Sequence, residues 1–108
     1  MKGAAFYVIL TAALLAESDA APAQDSAAGK AVFGKCQACH AVGTGAKNKL
    51  GPELNGFAWD QASFAAFMQD PKTKVPGNKM AFAGMKDQAE IASLWTYLAR
   101  FNADGSSK

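Results

Sequence analysis

Apolar residues recur at helical spacing along much of this chain, a pattern that predicts helices rather than strands. In the last part, five apolar side chains share one face of a helix that begins near Asp87: Ile91, Leu94, Trp95, Leu98 and Phe101. A middle helix is predicted from Gln61 to Gln69, because Asp60 can cap its start and Pro71 cannot continue it.

The first predicted helix runs from Ala27 to Phe33, since Asp25 or Ser26 can cap its start. Loops rich in glycine and lysine join the helices, one from about Gly43 to Phe57 and another from Lys72 to Gly84. Alternation at the period of a strand is nowhere sustained along the sequence. The predicted fold class is therefore all-α.

The N-terminal segment has the pattern of a secretory signal peptide. After a positively charged start, residues 3–16 are apolar almost without interruption, and small residues follow them. Cleavage after Ala20 or Ala23 is predicted, which divides the chain into a signal peptide, residues 1–23, and a mature domain, residues 24–108. An uncleaved membrane anchor is the alternative, but the apolar run is shorter than the ~18 residues expected of a spanning helix. The segment therefore predicts export to the periplasm.

The size and charge of the chain limit what it can be. Its 108 residues form one domain at most. A mature domain this small has a marginal apolar core and often needs a covalent or metal-based staple. The formal net charge of +2 is too weak, and the basic residues are too scattered, to indicate nucleic-acid binding.

The strongest chemical signal is a C-x-x-C-H motif formed by Cys36, Cys39 and His40. Two thiols at this spacing can add to the two vinyl groups on one edge of a porphyrin, and the adjacent imidazole can then bind the iron. A disulfide and a thioredoxin-like dithiol are the alternatives, but the dithiol belongs to a βαβ pattern that this sequence lacks. A zinc site needs four ligands, whereas the chain offers two thiols and one imidazole. The motif therefore predicts one haem c, covalently attached through both cysteines.

The second axial ligand is less constrained by the residues alone. His40 is the only histidine, which excludes a second imidazole ligand from this chain. Met68 falls on the apolar face of the predicted middle helix, where a packing role is expected. Met80 and Met85 both lie in the following loop, and the turn at Pro76 lets Met80 reach a metal without breaking a helix. The residues favour Met80 and leave Met85 open.

From about Gly29 to Phe101 the chain resembles the class I cytochromes c, especially the group of mitochondrial cytochrome c and bacterial cytochrome c2. The resemblance rests on four stretches: GKAVFGKCQACHAVG, KLGPELNG, DPKTKVPGNKMAFAGMK and LWTYL. It implies a small fold in which three main helices and their loops wrap around one haem. In that family the methionine after the Pro-Gly-x-Lys turn is the axial ligand, and this position is Met80 here.

The resemblance implies roles for further residues around the haem. The carbonyl of Pro52 is expected to accept a hydrogen bond from the His40 imidazole, which fixes the ring. Trp59 is expected to donate to a haem propionate. Gly29 is expected to allow a close crossing of the first and last helices, since a glycine inside a helix is otherwise a cost. The expected haem-binding residues are Cys36, Cys39, His40, Met80, Pro52 and Trp59, with His40 and Met80 on the iron.

Two departures from the family pattern lie close to the expected haem. Relatives usually carry a longer loop between the GPELNG stretch and the tryptophan, whereas here Phe57 and Ala58 alone separate Gly56 from Trp59. The tyrosine and arginine that cover the propionates from that loop are therefore missing. Phe67 also stands where the middle helix usually has a tyrosine that donates to the methionine sulfur.

A haem iron held by histidine and methionine has no open coordination position, which predicts transfer of single electrons and no enzymatic turnover. A haem-based gas sensor or peroxidase with a labile methionine is the alternative function. Several lysines lie in segments expected to flank the haem edge, where they can steer the protein to acidic partners. These lysines are Lys35, Lys47, Lys49, Lys72, Lys74, Lys79 and Lys86.

The expected partners are redox proteins of a respiratory or photosynthetic chain. A quinol–cytochrome c oxidoreductase is compatible as the donor, and a terminal oxidase, a photosynthetic reaction centre or a periplasmic dehydrogenase is compatible as the other partner. The protein is expected to act as a soluble monomer in the periplasm and not to bind nucleic acid.

Overall fold

Four helices form the part of the chain that the computed structural model describes, residues 25–108. They are α1 (Ser26–Phe33), α2 (Gln61–Gln69), α3 (Pro71–Lys74) and α4 (Gln88–Leu98). Extended pairing within these residues is confined to one bridge between Phe101 and Ser107, and the all-α fold class is confirmed. The predicted signal peptide, residues 1–23, lies outside the described residues. No helix inside them is long and apolar enough to cross a membrane.

Aspartates begin the three longer helices, as the sequence predicts. Asp25 accepts a hydrogen bond from the backbone of Ala27 at 2.9 Å, so this residue, and not Ser26, caps α1. Asp60 and Asp87 cap α2 and α4 in the same way. A side-chain oxygen at this position stabilises the helix because it satisfies a backbone N–H that the first turn leaves without a partner.

The loop predicted from Lys72 onward is wrong at its start, where the chain forms the short helix α3. Pro71 ends α2 because it has no N–H for a helix interior, but its fixed φ suits the first turn of a new helix. The Asp70 side chain caps this new helix, since it accepts from the Thr73 backbone at 3.3 Å and from the Thr73 hydroxyl at 2.7 Å. Helix α3 thus begins the segment that leads to Met80.

The first and last helices cross at Gly29, where a side chain would not fit. A Cβ on Gly29 would lie 2.6 Å from the Cβ of Tyr97 and still closer to the backbone carbonyl of Ser93. The rings of Phe33 and Tyr97 lie 5.7 Å apart beside this crossing, so the expected close contact of the two helices is confirmed. The core of the described residues surrounds it: Val32, Phe33, Phe64, Met68, Met85, Ile91, Leu94, Tyr97 and Leu98.

The short link between Gly56 and Trp59 is held against other parts of the chain. Gly56 has a φ of 67°, and its N–H donates to the Phe101 carbonyl at 3.1 Å. The Trp59 carbonyl accepts from the Trp95 indole at 3.0 Å, while the Trp59 ring lies 5.0 Å from the Phe67 ring. The link therefore places Trp59 against both α2 and α4.

Candidate haem-binding site

The three residues of the C-x-x-C-H motif lie on one turn that continues from the end of α1. The Cys36 N–H donates to the Phe33 carbonyl at 2.8 Å, which joins the turn to the helix. The Cys36 carbonyl in turn accepts from Cys39 at 3.1 Å and from His40 at 2.9 Å. Both cysteines are free and half-buried. The turn therefore brings two thiols and an imidazole together, as attachment to one edge of a porphyrin requires.

Burial raises the pKa of the Cys36 thiol, and the positive charge of Lys35 offsets part of this effect. A raised pKa keeps the sulfur protonated at neutral pH. This is unfavourable for thiol–disulfide exchange, because the thiolate is the attacking species. Reactive cysteines of exchange dithiols have a lowered pKa instead, so the surroundings of Cys36 do not match a redox-active dithiol.

The His40 imidazole is fixed by the backbone carbonyl of Pro52, whose oxygen lies 2.7 Å from Nδ1. A carbonyl oxygen only accepts hydrogen bonds, so the hydrogen of the neutral ring resides on Nδ1. Nε2 is then left with its lone pair, which is the arrangement that a histidine needs to bind a metal. The contact orients His40 on the same turn that carries the two thiols.

Gly51 allows the following loop to pass against the His40 ring. A Cβ at this position would lie 2.5 Å from Cε1 and 3.0 Å from Nε2 of His40. The Gly51 N–H also donates to the Cys39 carbonyl at 2.8 Å, and a second backbone bond joins Leu54 to Ala41 at 2.9 Å. Gly51 was not predicted as a site residue, although a glycine directly before the expected hydrogen-bonding proline is a sign of close approach.

The methionines of the described part differ in their surroundings. Met68 and Met85 are 6% and 7% exposed and belong to the core, and the Met85 N–H donates to the Met68 carbonyl at 2.7 Å. Met80 is half-buried and lies outside that core cluster. A thioether that is close-packed in the core could reach a metal only by disrupting its neighbours. The geometry therefore favours Met80 over Met85 as a ligand.

The Trp59 indole contacts an aromatic side chain of α2. Its ring packs on Phe67, and within residues 25–108 its indole N–H has no hydrogen-bond acceptor. The expected hydrogen bond from Trp59 to a haem propionate stays a prediction. Phe67, which replaces the tyrosine usual in the family, contributes an apolar contact and no donor.

Apolar side chains beside these residues are only partly covered by the protein. They pack against the core from the segment after His40, from α2 and from the segment after Met80: Val42, Leu54, Phe57, Trp59, Ala65, Phe67 and Phe82. A porphyrin is a large apolar ring, and burying it against such side chains is favourable. Among residues 25–108, by contrast, no group of three or more Cys, His, Asp or Glu side chains could hold a metal ion directly. The residues present fit a haem and not a bare metal ion.

The lysines expected near the haem edge are all exposed: Lys35, Lys47, Lys49, Lys72, Lys74, Lys79 and Lys86. Lys35 pairs with Glu90 at 3.2 Å, which is the one ion pair of the described part. Lys49 and Lys86 each donate to a backbone carbonyl at 2.7 Å, which fixes the ammonium group without neutralising it. Most of these charges therefore contribute to a positive surface potential.

Proteins of known type resemble this chain along most of its length. The model of a family described as cytochrome c matches residues 26–101. Cytochrome c-550 of Bradyrhizobium diazoefficiens is 47% identical, over 77% of this chain and 77% of the relative. Cytochrome c2 of Blastochloris viridis is 39% identical, over 100% of both chains.

A solved structure has a similar fold. Cytochrome cH from Methylobacterium extorquens has a TM-score of 0.62 and 35% identity, and the match covers 69% of this chain and 97% of that one. The alignment with the Blastochloris viridis protein extends over 130 positions, whereas this chain has 108 residues. That relative therefore contains residues without a counterpart here, in line with the loop that this sequence is expected to lack.

Proposed function

Because this chain belongs to the cytochrome c family, we propose that it is an exported electron carrier whose haem iron is held by His40 and Met80. The chain carries one haem c, attached through Cys36 and Cys39, and it is an electron-transfer protein rather than an enzyme. The observation that carries the proposed ligation is the 2.7 Å contact between His40 Nδ1 and the Pro52 carbonyl. This contact leaves Nε2 available on the same turn as both thiols.

Each ligand has a defined task in this proposal. The haem, when bound, supplies a one-electron couple at its iron. The Pro52 carbonyl holds His40 in one tautomer and one orientation. Met80 would contribute a neutral thioether, and ligation by methionine and histidine raises the reduction potential of a haem. If His40 and Met80 both bind the iron, they would leave no position for an external ligand, and the chemistry supplied by the bound haem would be electron transfer.

The periplasm is the proposed site of action, and the signal-peptide pattern of residues 1–23 supports it. The proposed donor is a quinol–cytochrome c oxidoreductase. The proposed second redox partner is a terminal oxidase, a photosynthetic reaction centre or a periplasmic dehydrogenase. Relatives named cytochrome c2 and cytochrome c-550 support a place in a respiratory or photosynthetic chain.

The exposed lysines support partners with acidic docking surfaces. A lysine that donates to a carbonyl keeps its full charge, so its attraction for a carboxylate persists. Exposed charges are screened over ~8–10 Å at physiological salt, which makes this attraction dependent on ionic strength. The complex should be transient and should bury less than about 1,200 Å² in total.

An optical spectrum of the purified ferric protein tests the proposed ligation. A low-spin haem with a methionine-to-iron charge-transfer band is the expected result, because His40 and Met80 would fill both axial positions. A high-spin ferric haem, or a ferrous form that binds carbon monoxide readily, would overturn the proposal in favour of the gas sensor or peroxidase.

Electron transfer to a purified terminal oxidase or reaction centre tests the proposed docking. The second-order rate should fall as the ionic strength rises, and it should fall further in Lys47→Glu. The matched control is Lys108→Glu, which reverses an exposed charge at the C-terminus, outside the haem-flanking segments. A rate independent of salt, or an equal loss in both variants, would contradict the role given to the lysines.

A further inference from the structure

Asn78 joins the segment that carries Met80 to helix α3. The side-chain amide of Asn78 donates to the backbone carbonyls of Pro71 at 2.9 Å and Val75 at 2.8 Å. Its side-chain oxygen accepts from the Met80 backbone N–H at 3.0 Å. One carboxamide therefore binds α3 on one side and the proposed iron ligand on the other, and it uses both its donor and its acceptor groups.

Lys72 reinforces the same segment from the surface of α3. Its ammonium group donates to the backbone carbonyl of Asn78 at 2.7 Å and to that of Met80 at 3.0 Å. A charged donor makes a stronger hydrogen bond than a neutral one. Asn78 and Lys72 are called the methionine clamp below.

The methionine clamp is anchored on α3, which begins at a buried proline and is capped by a side chain. Pro71, at the start of α3, is among the largest fully buried side chains of the described part. The Pro71 carbonyl also accepts from the Val75 N–H at 2.9 Å, so the carbonyls that bind Asn78 belong to one closed turn. Asp70 caps that turn from the other end through Thr73. The segment around Met80 is thus tied to a frame that does not depend on the methionine itself.

We propose that Asn78 is a positioning residue for Met80 and that Lys72 supports it by holding the same segment. This inference rests on the proposed ligation of the haem iron by Met80. A sulfur on a held segment leaves the iron less often than one on a free segment, because less conformational freedom is regained on release. A competing ligand can bind only the fraction of molecules in which the sulfur has left. The clamp therefore lowers the apparent affinity for external ligands.

Imidazole binding to the ferric holoprotein measures how readily Met80 leaves. Asn78→Ala removes four side-chain hydrogen bonds, the longest of them from the Lys72 ammonium at 3.4 Å. We expect the apparent imidazole affinity to rise about tenfold or more, since one net hydrogen bond corresponds to about a fivefold change in an equilibrium constant. The matched control is Asn48→Ala, which removes an asparagine side chain that accepts from the Glu53 N–H at 2.9 Å in the loop after His40. The control should leave the imidazole affinity unchanged.

Amide hydrogen exchange gives a second readout that does not depend on electron transfer. Exchange at the Met80 N–H should accelerate in Asn78→Ala and stay unchanged in Asn48→Ala, because Asn78 supplies the acceptor for that N–H. Lys72→Met keeps an unbranched side chain that is one heavy atom shorter, and it loses the ammonium group. This variant should raise the imidazole affinity by a smaller factor than Asn78→Ala.

The outcomes separate the clamp from the ligation on which it rests. Unchanged imidazole affinity and Met80 exchange in both Asn78→Ala and Lys72→Met would overturn the clamp. An equal rise in Asn48→Ala would also overturn it, because a general loss of stability would then explain the effect. If Met80→Ala leaves the ferric spectrum and the affinity unchanged, the ligation by Met80 is itself wrong. If the affinity rises in Met80→Ala alone, the ligation stands and the clamp is refuted.

Discussion

The two sides of the candidate haem site are held in different ways. On the His40 side, residues 36–56, backbone groups pair with backbone groups across the loop at 2.8 and 2.9 Å. On the Met80 side, residues 70–85, the amide of Asn78 and the ammonium of Lys72 hold the segment that carries the methionine. The His40 side thus combines backbone pairing with side-chain bonds from Asn55 to Gly43 and from Lys49 to Gln37, whereas the hydrogen bonds of the Met80 backbone are to two side chains.

This difference predicts which of the two sides loses its native contacts first. The thioether bonds of the motif attach the haem next to His40, so the imidazole stays close to the iron as long as the turn is folded. Met80 has no covalent neighbour of this kind, and each hydrogen bond that holds its segment contributes about 1 kcal/mol. Changes on the His40 side should therefore disrupt folding, whereas changes to Met80, Asn78 or Lys72 should weaken ligation and leave the helices in place.

Removing the covalent attachment should have the largest effect. In Cys36→Ala/Cys39→Ala we expect loss of both the covalent haem and the native fold, because a domain this small has too little core to fold without its cofactor. A haem-stained gel and far-UV circular dichroism measure the two losses. A double variant with native helix content would show that the His40 side does not depend on attachment.

Replacing Met80 and Met85 by alanine, one at a time, tests the Met80 side. Met85→Ala should lower the free energy of unfolding by about 2–5 kcal/mol, as truncation of a core methionine does, and it should keep the charge-transfer band. Met80→Ala should abolish that band and admit added ligands while the helices persist. Optical spectra and denaturant titrations of both variants check this. A band that disappears in Met85→Ala would reverse the assignment of the ligand.

Local patterns in the sequence are enough to predict the main helices and the attachment of the haem. The caps Asp60 and Asp87 follow from the residues that start each apolar stripe, and those stripes set the helices. The attachment of haem at Cys36 and Cys39 follows from a spacing of a few residues, which folding does not alter. These features lie within one turn or one helix, so the order of residues already contains them.

Other features depend on contacts that the sequence does not display. Helix α3 escapes prediction because Pro71 both ends one helix and suits the first turn of the next. Gly51 and Asn78 escape it because their partners are an imidazole ring and backbone carbonyls. The type of a residue says little about which backbone groups it will contact, because only folding brings those groups close to it.

A methyl group at Gly51 tests how tightly the His40 side is packed. Gly51→Ala should lower the free energy of unfolding by about 1–3 kcal/mol, as overpacking does, because its Cβ would lie 2.5 Å from the His40 ring. The matched control is Gly45→Ala, since Gly45 has a φ of 78° and a Cβ at this position would have no neighbour within 4 Å. The control should cost about 1 kcal/mol from backbone strain alone and leave the haem spectrum unchanged. Equal stability with unaltered spectra in both variants would show that the His40 side tolerates crowding.

Acid should loosen the Met80 side before the His40 side, and this is the smallest expected effect. Hydrogen bonds from the Thr73 side chain and backbone hold the pKa of the Asp70 carboxyl below its ordinary value. A carboxyl whose pKa is lowered by folding contributes stability that is present at neutral pH and is lost as the pH falls through the folded pKa. Asp70 caps α3, on which the methionine clamp is anchored. Because this carboxyl is exposed, solvent screening keeps its contribution small.

Replacing Asp70 with asparagine should make the difference between the two sides measurable. In the unmodified protein the charge-transfer band should fade at a higher pH than the helical circular dichroism signal, in the region below about pH 4. Asp70→Asn keeps an oxygen that caps α3 and removes the titration, so its band should depend less on pH. The matched control is Asp104→Asn, because hydrogen bonds from Ser106 also lower the pKa of Asp104, but in the C-terminal stretch outside α3. If band and helix signal fade together in all three proteins, the anchoring of the clamp on α3 does not govern how firmly Met80 is held.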